Sequence, residues 1–384
     1  MRQPTAWGQP CPQPACMHSR RMTRGNVSAL ATSLTHSGTR RLLRCHTWAT
    51  PFSATRETVF CDLRTSAEKV RMARKMFLVR GDLTGIGCVR GVTEETVLAW
   101  LRRAAHQAEA LYRHLLRHLP VTQGQLDERW HGIARQHACE TDTAGESVPD
   151  GEDGRQGVRG SCAPACRLRI AAVVGPRPLD TAKAVVAATT ARVAGLPACC
   201  SDGCTCSLAA LIAAFHVVTT CARTGKRGRP RTPRCAPHPA LVYGPWLTQK
   251  KQGTLLTRST RVVLGATRLT HLGFTLSTAS VERVTRTVRQ ALAPLVRKTS
   301  SFGKDRERLR QRVVFCQVIS TGARPHMSVR QPLPLHERTR HGAIRSRWRQ
   351  HTPAMAAGVT DHVWTFRELL TANFEPLDSQ SISQ

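Results

Sequence analysis

Acidic residues are scarce: 25 Asp and Glu stand against 57 Lys and Arg, which leaves a formal charge of +32 on 384 residues. A chain so short of negative charge repels itself unless a polyanion is present. Nucleic acid is the usual one, because each neutralised phosphate releases counterions. The blander readings are a basic ribosome-associated protein or a disordered one, and the ordered apolar periodicity below argues against full disorder. Long apolar runs are missing too. The longest, Ser207 to Thr219, contains His216 and falls short of the roughly 20 residues that a membrane span needs. It reads as a buried helix running into a strand, and no membrane partner is expected. Met1 to Gly25 has no apolar core segment, so no signal peptide is expected. The 15 cysteines are scattered and odd in number, which suits reduced thiols and a cytoplasmic setting. At about 150 residues per domain, the length predicts two or three domains.

What is present begins with Cys11 and Cys16, which bracket Pro-Gln-Pro-Ala, and with Cys45 before His46-Thr47-Trp48. A structural zinc site takes four ligands, commonly two cysteine pairs. Here the first pair is complete and Trp48 stands where the second partner of Cys45 would fall. His46 adjoins Cys45 and is poorly placed to replace it, and His18 is another substitute. Three unrelated free thiols are the plainer reading of these residues alone.

Helical spacing follows. Glu68 to Val79 carries Val70, Ala73 and Phe77 on one face, and Arg80-Gly81-Asp82 breaks it. A second helix is predicted over Leu83–Arg90 and ends at Gly91, although Gly85 and Gly87 inside it cost about 1 kcal/mol each. Thr93 caps a third helix with Glu94 and Glu95 in its first turn. That helix buries Val97, Trp100, Leu101 and Ala104, and turns Arg102 and Arg103 toward phosphates. This is the pattern of a helix-turn-helix, whose last helix enters the major groove. Any small helical bundle has a similar pattern.

From Gln123 onward, strands and helices alternate. Gln123 to Trp130 is a strand with Asp127 at its centre, followed by an acidic, Gly-rich loop from Cys139 to about Gly160. Leu168 to Val174 is a second strand, Leu179 to Val193 a helix, Pro197 to Gly203 a short strand ending at Asp202, and Leu208 to Phe215 a further helix. The alternation implies an α/β sheet, with both Asp residues meeting at one edge. Glu282 lies on an amphipathic helix whose apolar face is Val281, Val284, Val288, Leu292 and Leu295. Glu282, Arg286 and Arg289 share a second stripe, which suits a site that holds a metal and a phosphodiester together. Three carboxylates can bind two Mg²⁺ ions roughly 4 Å apart, and carboxylate oxygens are the hard ligands that Mg²⁺ prefers. By itself each acid reads as an ordinary surface residue or ion-pair partner.

In order along the chain, several segments resemble one family. These are Cys11-Pro-Gln-Pro-Ala-Cys16; Phe52-Ser53 with Arg56 and Thr58-Val-Phe60; Gly91-Val-Thr-Glu-Glu-Thr-Val97 with Trp100-Leu-Arg-Arg103; and Gln125-Leu-Asp-Glu128. Further on they are Ala172-Val-Val-Gly-Pro176, Ser201-Asp-Gly203, Val281-Glu-Arg283 and Ala323-Arg-Pro-His-Met-Ser328. They resemble transposases of the insertion-sequence-one type, a DDE family with an RNase H-like α/β catalytic fold. The resemblance implies a zinc ribbon holding Zn²⁺ through Cys11, Cys16 and Cys45, a helix-turn-helix and a DDE domain in series. It also implies Asp127, Asp202 and Glu282 as the Mg²⁺-binding catalytic triad, with Arg289 contacting DNA. The implied reaction is Mg²⁺-dependent hydrolysis of a phosphodiester followed by strand transfer, on the element's terminal repeats and a target DNA, with a homodimer as a compatible assembly. The sequence departs from the family pattern at Trp48, Cys204, Thr285, Ile319-Ser-Thr-Gly322 and the loop from Cys139 to Cys166. The rival reading is therefore a catalytically inactive DNA-binding remnant of such a transposase.

The expected division is a zinc-ribbon-like segment over 1–62, a helix-turn-helix domain over 63–110, a catalytic domain over 118–300 and a basic C-terminal region over 301–384. A basic insertion spans 221–276. It contains Lys226-Arg-Gly-Arg-Pro-Arg231, the core of an AT-hook, which would lay Arg227, Arg229 and Arg231 along a narrow A·T minor groove. A solvated basic loop is an equal reading. The tail from His336 to Gln350 is again basic, with Trp348 interleaved.

Overall fold

The computed structural model describes residues 11–19, 26–133, 154–175, 178–219, 234–251, 254–296, 305–334, 340–341, 344–345 and 347–372. The chain forms two compact units. One comprises Met1–Leu115, Val314–Ile319 and Trp364–Gln384, and the other Leu116–Val313 and Ser320–Val363. The basic stretch expected to stand alone over 301–384 is thus divided between them.

The first unit opens with an antiparallel sheet of β1 (Val27–Thr35), β2 (Gly38–Cys45) and β3 (Pro51–Ser53) in that order. Its core is small: Leu43 and Phe52 pack with Cys11, Cys16 and Cys45. Three helices follow, α1 (Ala67–Phe77), α2 (Leu83–Arg90) and α3 (Glu94–Leu115). Ser66 caps α1 by accepting the Lys69 amide, and Asp82 caps α2 by accepting the Gly85 amide at 2.6 Å. Gly91 ends α2 in the left-handed region at φ +62°, which costs glycine nothing. The helix tolerates Gly87 for a packing reason: a Cβ there would lie 2.8 Å from the Val92 carbonyl oxygen. The third helix buries Val97, Trp100, Leu101 and Ala104 as the periodicity predicts, and further along it also buries Ala108, Leu111 and Tyr112.

Arg74 is the unusual member of this core. It is fully buried; its Nε and Nη2 donate to the Trp100 carbonyl at 3.3 Å, and its guanidinium lies 5.3 Å from the Phe60 ring centre. Burial, and then repulsion from Arg103, pull its pKa down to about 9.

The second unit is built on one sheet. Its strands are β4 (Gln123–Ile133), β5 (Gly154–Ala163), β6 (Leu168–Gly175), β7 (Ala198–Ser201), β10 (Tyr243–Lys251) and β11 (Thr254–Thr260). Between them lie α4 (Pro178–Thr190), α5 (Thr205–Ala214), and a separate hairpin of β8 (His216–Thr219) and β9 (Arg234–Pro237). After the sheet come α6 (Ala266–Leu272), α7 (Ala279–Ala291), α8 (Arg306–Val318), α9 (Pro353–Ala356) and α10 (Phe366–Thr371). The last of these and the end of α8 from Val314 belong to the first unit, where Phe366 meets Phe315 edge-on at 5.9 Å and packs below Lys75.

Across the sheet the order is β11-β10-β7-β4-β5-β6. The first three strands form an antiparallel meander, β4-β5-β6. Then β7 pairs parallel to β4, β10 parallel to β7, and β11 returns antiparallel at the edge. The result is a mixed α/β fold. One face is covered by α4 and α5, whose Ala182, Val185, Val186, Ala210 and Leu211 pack on Leu126, Ala171, Cys199 and Tyr243. On the other face Ala198, Cys200, Val242 and Leu276 cluster, and α7 packs against β4 and β5.

Two sequence expectations are corrected here. The Gly-rich segment read as a loop up to Gly160 contains β5, hydrogen-bonded on both sides by β4 and β6. Gly154, Gly157 and Gly160 carry no strand propensity, so only pairing defines that strand. The segment read as an insertion over 221–276 supplies β10 and β11, with Leu241, Val242 and Tyr243 buried at the start of β10. The apolar run Ser207 to Thr219 does turn from helix to strand, but β8 is exposed along its length.

Candidate metal and nucleic-acid sites

Parallel pairing of β4 with β7 matches Gln125 to Cys200 and Leu126 to Ser201. The next step along that register brings together Asp127, in mid-strand, and Asp202, just past the end of β7. Asp127 is 5% exposed and Asp202 is exposed. Gln125 shares the face of Asp127, since side chains two apart on a strand point the same way. Its Oε1 accepts the Val281 amide at 2.9 Å, which fastens the first turn of α7 over β4. Glu282 is the next residue. It is half-buried, and its Oε1 accepts the Thr278 hydroxyl at 2.8 Å. The register thus sets Asp127 next to Asp202, and the Gln125–Val281 bond fastens the turn that carries Glu282 against β4. Their carboxylates are less closely gathered than the cysteines described below, which among the described residues are the group whose ligand atoms all lie within 4.8 Å of one another.

Sequence reasoning gave no role to Glu128, the neighbour of Asp127. Its direct cross-strand partner is Arg159, and the two side chains form a buried ion pair, 8% and 4% exposed. The Arg159 Nη2 also lies 3.4 Å from the Cys204 Sγ. Burial pushes the Glu128 carboxyl above its ordinary value, Arg159 pulls it partly back, and the charge of Asp202 adds to the rise. The signal for this pair is strand register, which no local motif encodes.

Basic groups collect at the start of α7. Arg167 sits in the turn between β5 and β6 with φ +59°, a left-handed conformation that costs a non-glycine residue about 1 kcal/mol or more. It donates through Nη1 to the Ser280 hydroxyl. His326 is half-buried, and its imidazole is held below the ordinary value by burial and then by the charges of Arg167 and Arg283. Arg286 is exposed on α7 and Arg289 half-buried. Sequence reasoning found the last two from helical spacing. It missed Arg167 and assigned no role to Arg283 or His326, which come from three separate segments. In the first unit Arg102 is exposed, whereas Arg103 donates to the Cys61 carbonyl and is engaged within the unit. Arg227, Arg229 and Arg231 lie outside the described residues.

Cys11, Cys16 and Cys45 are buried together, with Cys16 and Cys45 sulfurs 3.7 Å apart. The Asn26 side-chain amide approaches the Cys45 sulfur at 3.5 Å. Burial, with the neighbouring thiols, pushes the Cys11 thiol up to about 12. Burial raises the Cys45 thiol too, but bonds from the Trp48 backbone and the other two thiols more than offset it and leave it below its ordinary value. No described His, Asp or Glu joins the three sulfurs. His46 is exposed, and Trp48, half-buried, packs against the cluster. The four ligands of a structural zinc site are therefore not supplied by these residues.

No family model and no curated protein matches this chain. Among solved structures, a crystal structure of a pre-cleavage Mos1 transpososome has a chain similar to 33% of this one. The identity is 10% and the TM-score 0.13. The similarity covers 49% of that chain, so this chain spans about half the length of the solved one. A likeness that slight carries no inference about either fold or activity.

Proposed function

We propose that this chain is a DDE-type DNA transposase of RNase H-like fold, acting on the ends of an insertion sequence. The observation that supports the reading is the sheet: an antiparallel meander β4-β5-β6, then β7 and β10 parallel to β4, a mixed order compatible with an RNase H-like domain. In that frame the register sets Asp127 beside Asp202, and the Gln125–Val281 bond brings Glu282 to the same strands. The three carboxylates are hard oxygen donors suited to Mg²⁺. Bound there, Mg²⁺ would supply charge neutralisation at the attacking and leaving oxygens of an in-line displacement.

The chain's own residues do the rest. Gln125 fixes the first turn of α7, and Thr278 holds the Glu282 carboxylate by its hydroxyl. Arg286 and Arg289, one and two turns along, are placed to hold the phosphodiester. Arg167 and Arg283 form a second cationic group for the flanking strand, with the His326 imidazole, which they and burial hold toward its neutral form, beside them. In the other unit α1 to α3 form the three-helix pattern of a helix-turn-helix, with Arg102 available to phosphate. The net charge of +32 supports a polyanionic partner.

The test compares the parent chain with Asp202→Ala on terminal-repeat DNA. Binding rests on many distributed cations and should change little, while chemistry rests on a few carboxylates acting together and should be lost. Mg²⁺-dependent nicking by the parent alone supports the assignment. Binding without nicking in Mg²⁺ or Mn²⁺ favours the inactive remnant, and equal nicking by both proteins overturns the triad.

A further inference from the structure

The cysteine cluster of the first unit is a preformed site with three soft donors and, among the described residues, no fourth. A tetrahedral ion needs another ligand, from protein or water. Trp48 occupies the sequence position of that ligand, and its half-buried side chain packs against the apolar cluster that contains the three cysteines, so an indole takes the place of a fourth sulfur in the chain. Among the described residues no imidazole or carboxylate replaces it. Three thiols enclosed at 0%, 6% and 0% exposure favour an ion that is soft, accepts low coordination number and gains nothing from a water ligand. Thiolate donors select such ions, monovalent copper among them. The Asn26 amide at the Cys45 sulfur is the outer-shell hydrogen bond that commonly steadies a metal-bound thiolate.

We propose that Cys11, Cys16 and Cys45 form a three-sulfur site for Cu(I), and that the Trp48 side chain excludes the four-coordinate Zn²⁺ that a ribbon would hold. The site is independent of the catalytic reading, because it lies in the other unit and uses none of its residues.

The experiment uses the full chain, reduced and anaerobic, with Cu(I) competed by bathocuproine disulfonate and Zn²⁺ competed by EDTA. Other cysteines also bind copper, so the readout is the difference between variants. The parent should retain one more equivalent of Cu(I) than Cys11→Ser or Cys45→Ser, and should surrender its Zn²⁺. Trp48→Cys, which restores the fourth sulfur, should retain one equivalent of Zn²⁺ through the same EDTA challenge. Should the serine variants fail to fold, X-ray absorption on the parent loaded with one equivalent decides, with three sulfur neighbours expected. Zn²⁺ retained by the parent as firmly as by Trp48→Cys would overturn the proposal. So would equal Cu(I) retention by the parent and both serine variants, or a sulfur count of two or four.

Discussion

Replacing Arg159 by Met tests the buried ion pair beneath the proposed catalytic edge. Arg159 and Glu128 are directly opposite on β5 and β4, with side chains 4% and 8% exposed. Methionine keeps most of the volume but leaves the carboxylate enclosed without its counter-charge. Breaking a buried pair in this way costs about 3–5 kcal/mol, whereas replacing both partners by apolar groups is near neutral. The second unit has the size at which 1 kcal/mol moves Tm by roughly 2–4 °C, so Arg159→Met should lower its melting point by about 6–20 °C. Glu128→Leu with Arg159→Met should recover most of the loss.

The pH dependence has a definite sign. Burial raises the folded-state pKa of Glu128 above the usual 4.5, so folding favours its protonated form. That contribution is present below the unfolded pKa and is lost as pH rises through the folded pKa. Removing Arg159 removes the main influence holding the pKa down, so the window extends further upward. The deficit of Arg159→Met should therefore be large at pH 7–8 and shrink toward pH 4–5. Thermal unfolding of parent, single and double variants across that range measures it. A deficit that does not vary with pH, or a double variant as unstable as the single, would refute the reasoning.

Arg74→Met should match or exceed the parent in stability, because it removes a buried cation and keeps its volume. Arg74→Ala should lose about 2–5 kcal/mol to the cavity. Since the folded-state pKa of Arg74 lies at about 9, below its ordinary 12.5, the parent should gain stability as pH rises above 9, and Arg74→Met should flatten that slope; denaturant midpoints from pH 8 to 11 report both. Thr365 and Glu368 exchange backbone and side-chain bonds at the start of α10, so Thr365→Ala should cost about 1 kcal/mol, seen as an earlier transition of the first unit. Arg286→Gln and Arg289→Gln should each weaken duplex binding whatever the sequence and lower the salt slope by about 1. A titration over a salt series reads this, and an unchanged slope would remove α7 from the DNA interface.

Local chemistry alone determined a good deal of this protein. Asp82 and Gly91 bracket α2 because a carboxylate accepts orphan amides at one end and glycine tolerates positive φ at the other. The spacing of Val97, Trp100, Leu101 and Ala104 predicts the buried face of α3, and the apolar runs at Leu168 and Ala198 predict β6 and β7. Composition alone gives the charge and the absence of a membrane-length run; no helix among the described residues is long and apolar enough to cross a membrane. Tertiary structure decided what depends on partners distant in sequence. Gly154 to Gly160 is a strand only because β4 and β6 flank it, and the stretch from Tyr243 to Thr260 joins the sheet only because β7 offers a free edge. The neighbour relation of Asp127 and Asp202 is a fact of parallel register across 75 residues. Arg159 finds Glu128, Arg167 finds Ser280, and Cys11 and Cys16 meet Cys45 in the same way. Sequence periodicity records which side of an element is apolar. It holds no record of which charged groups from separate segments the packed chain sets side by side.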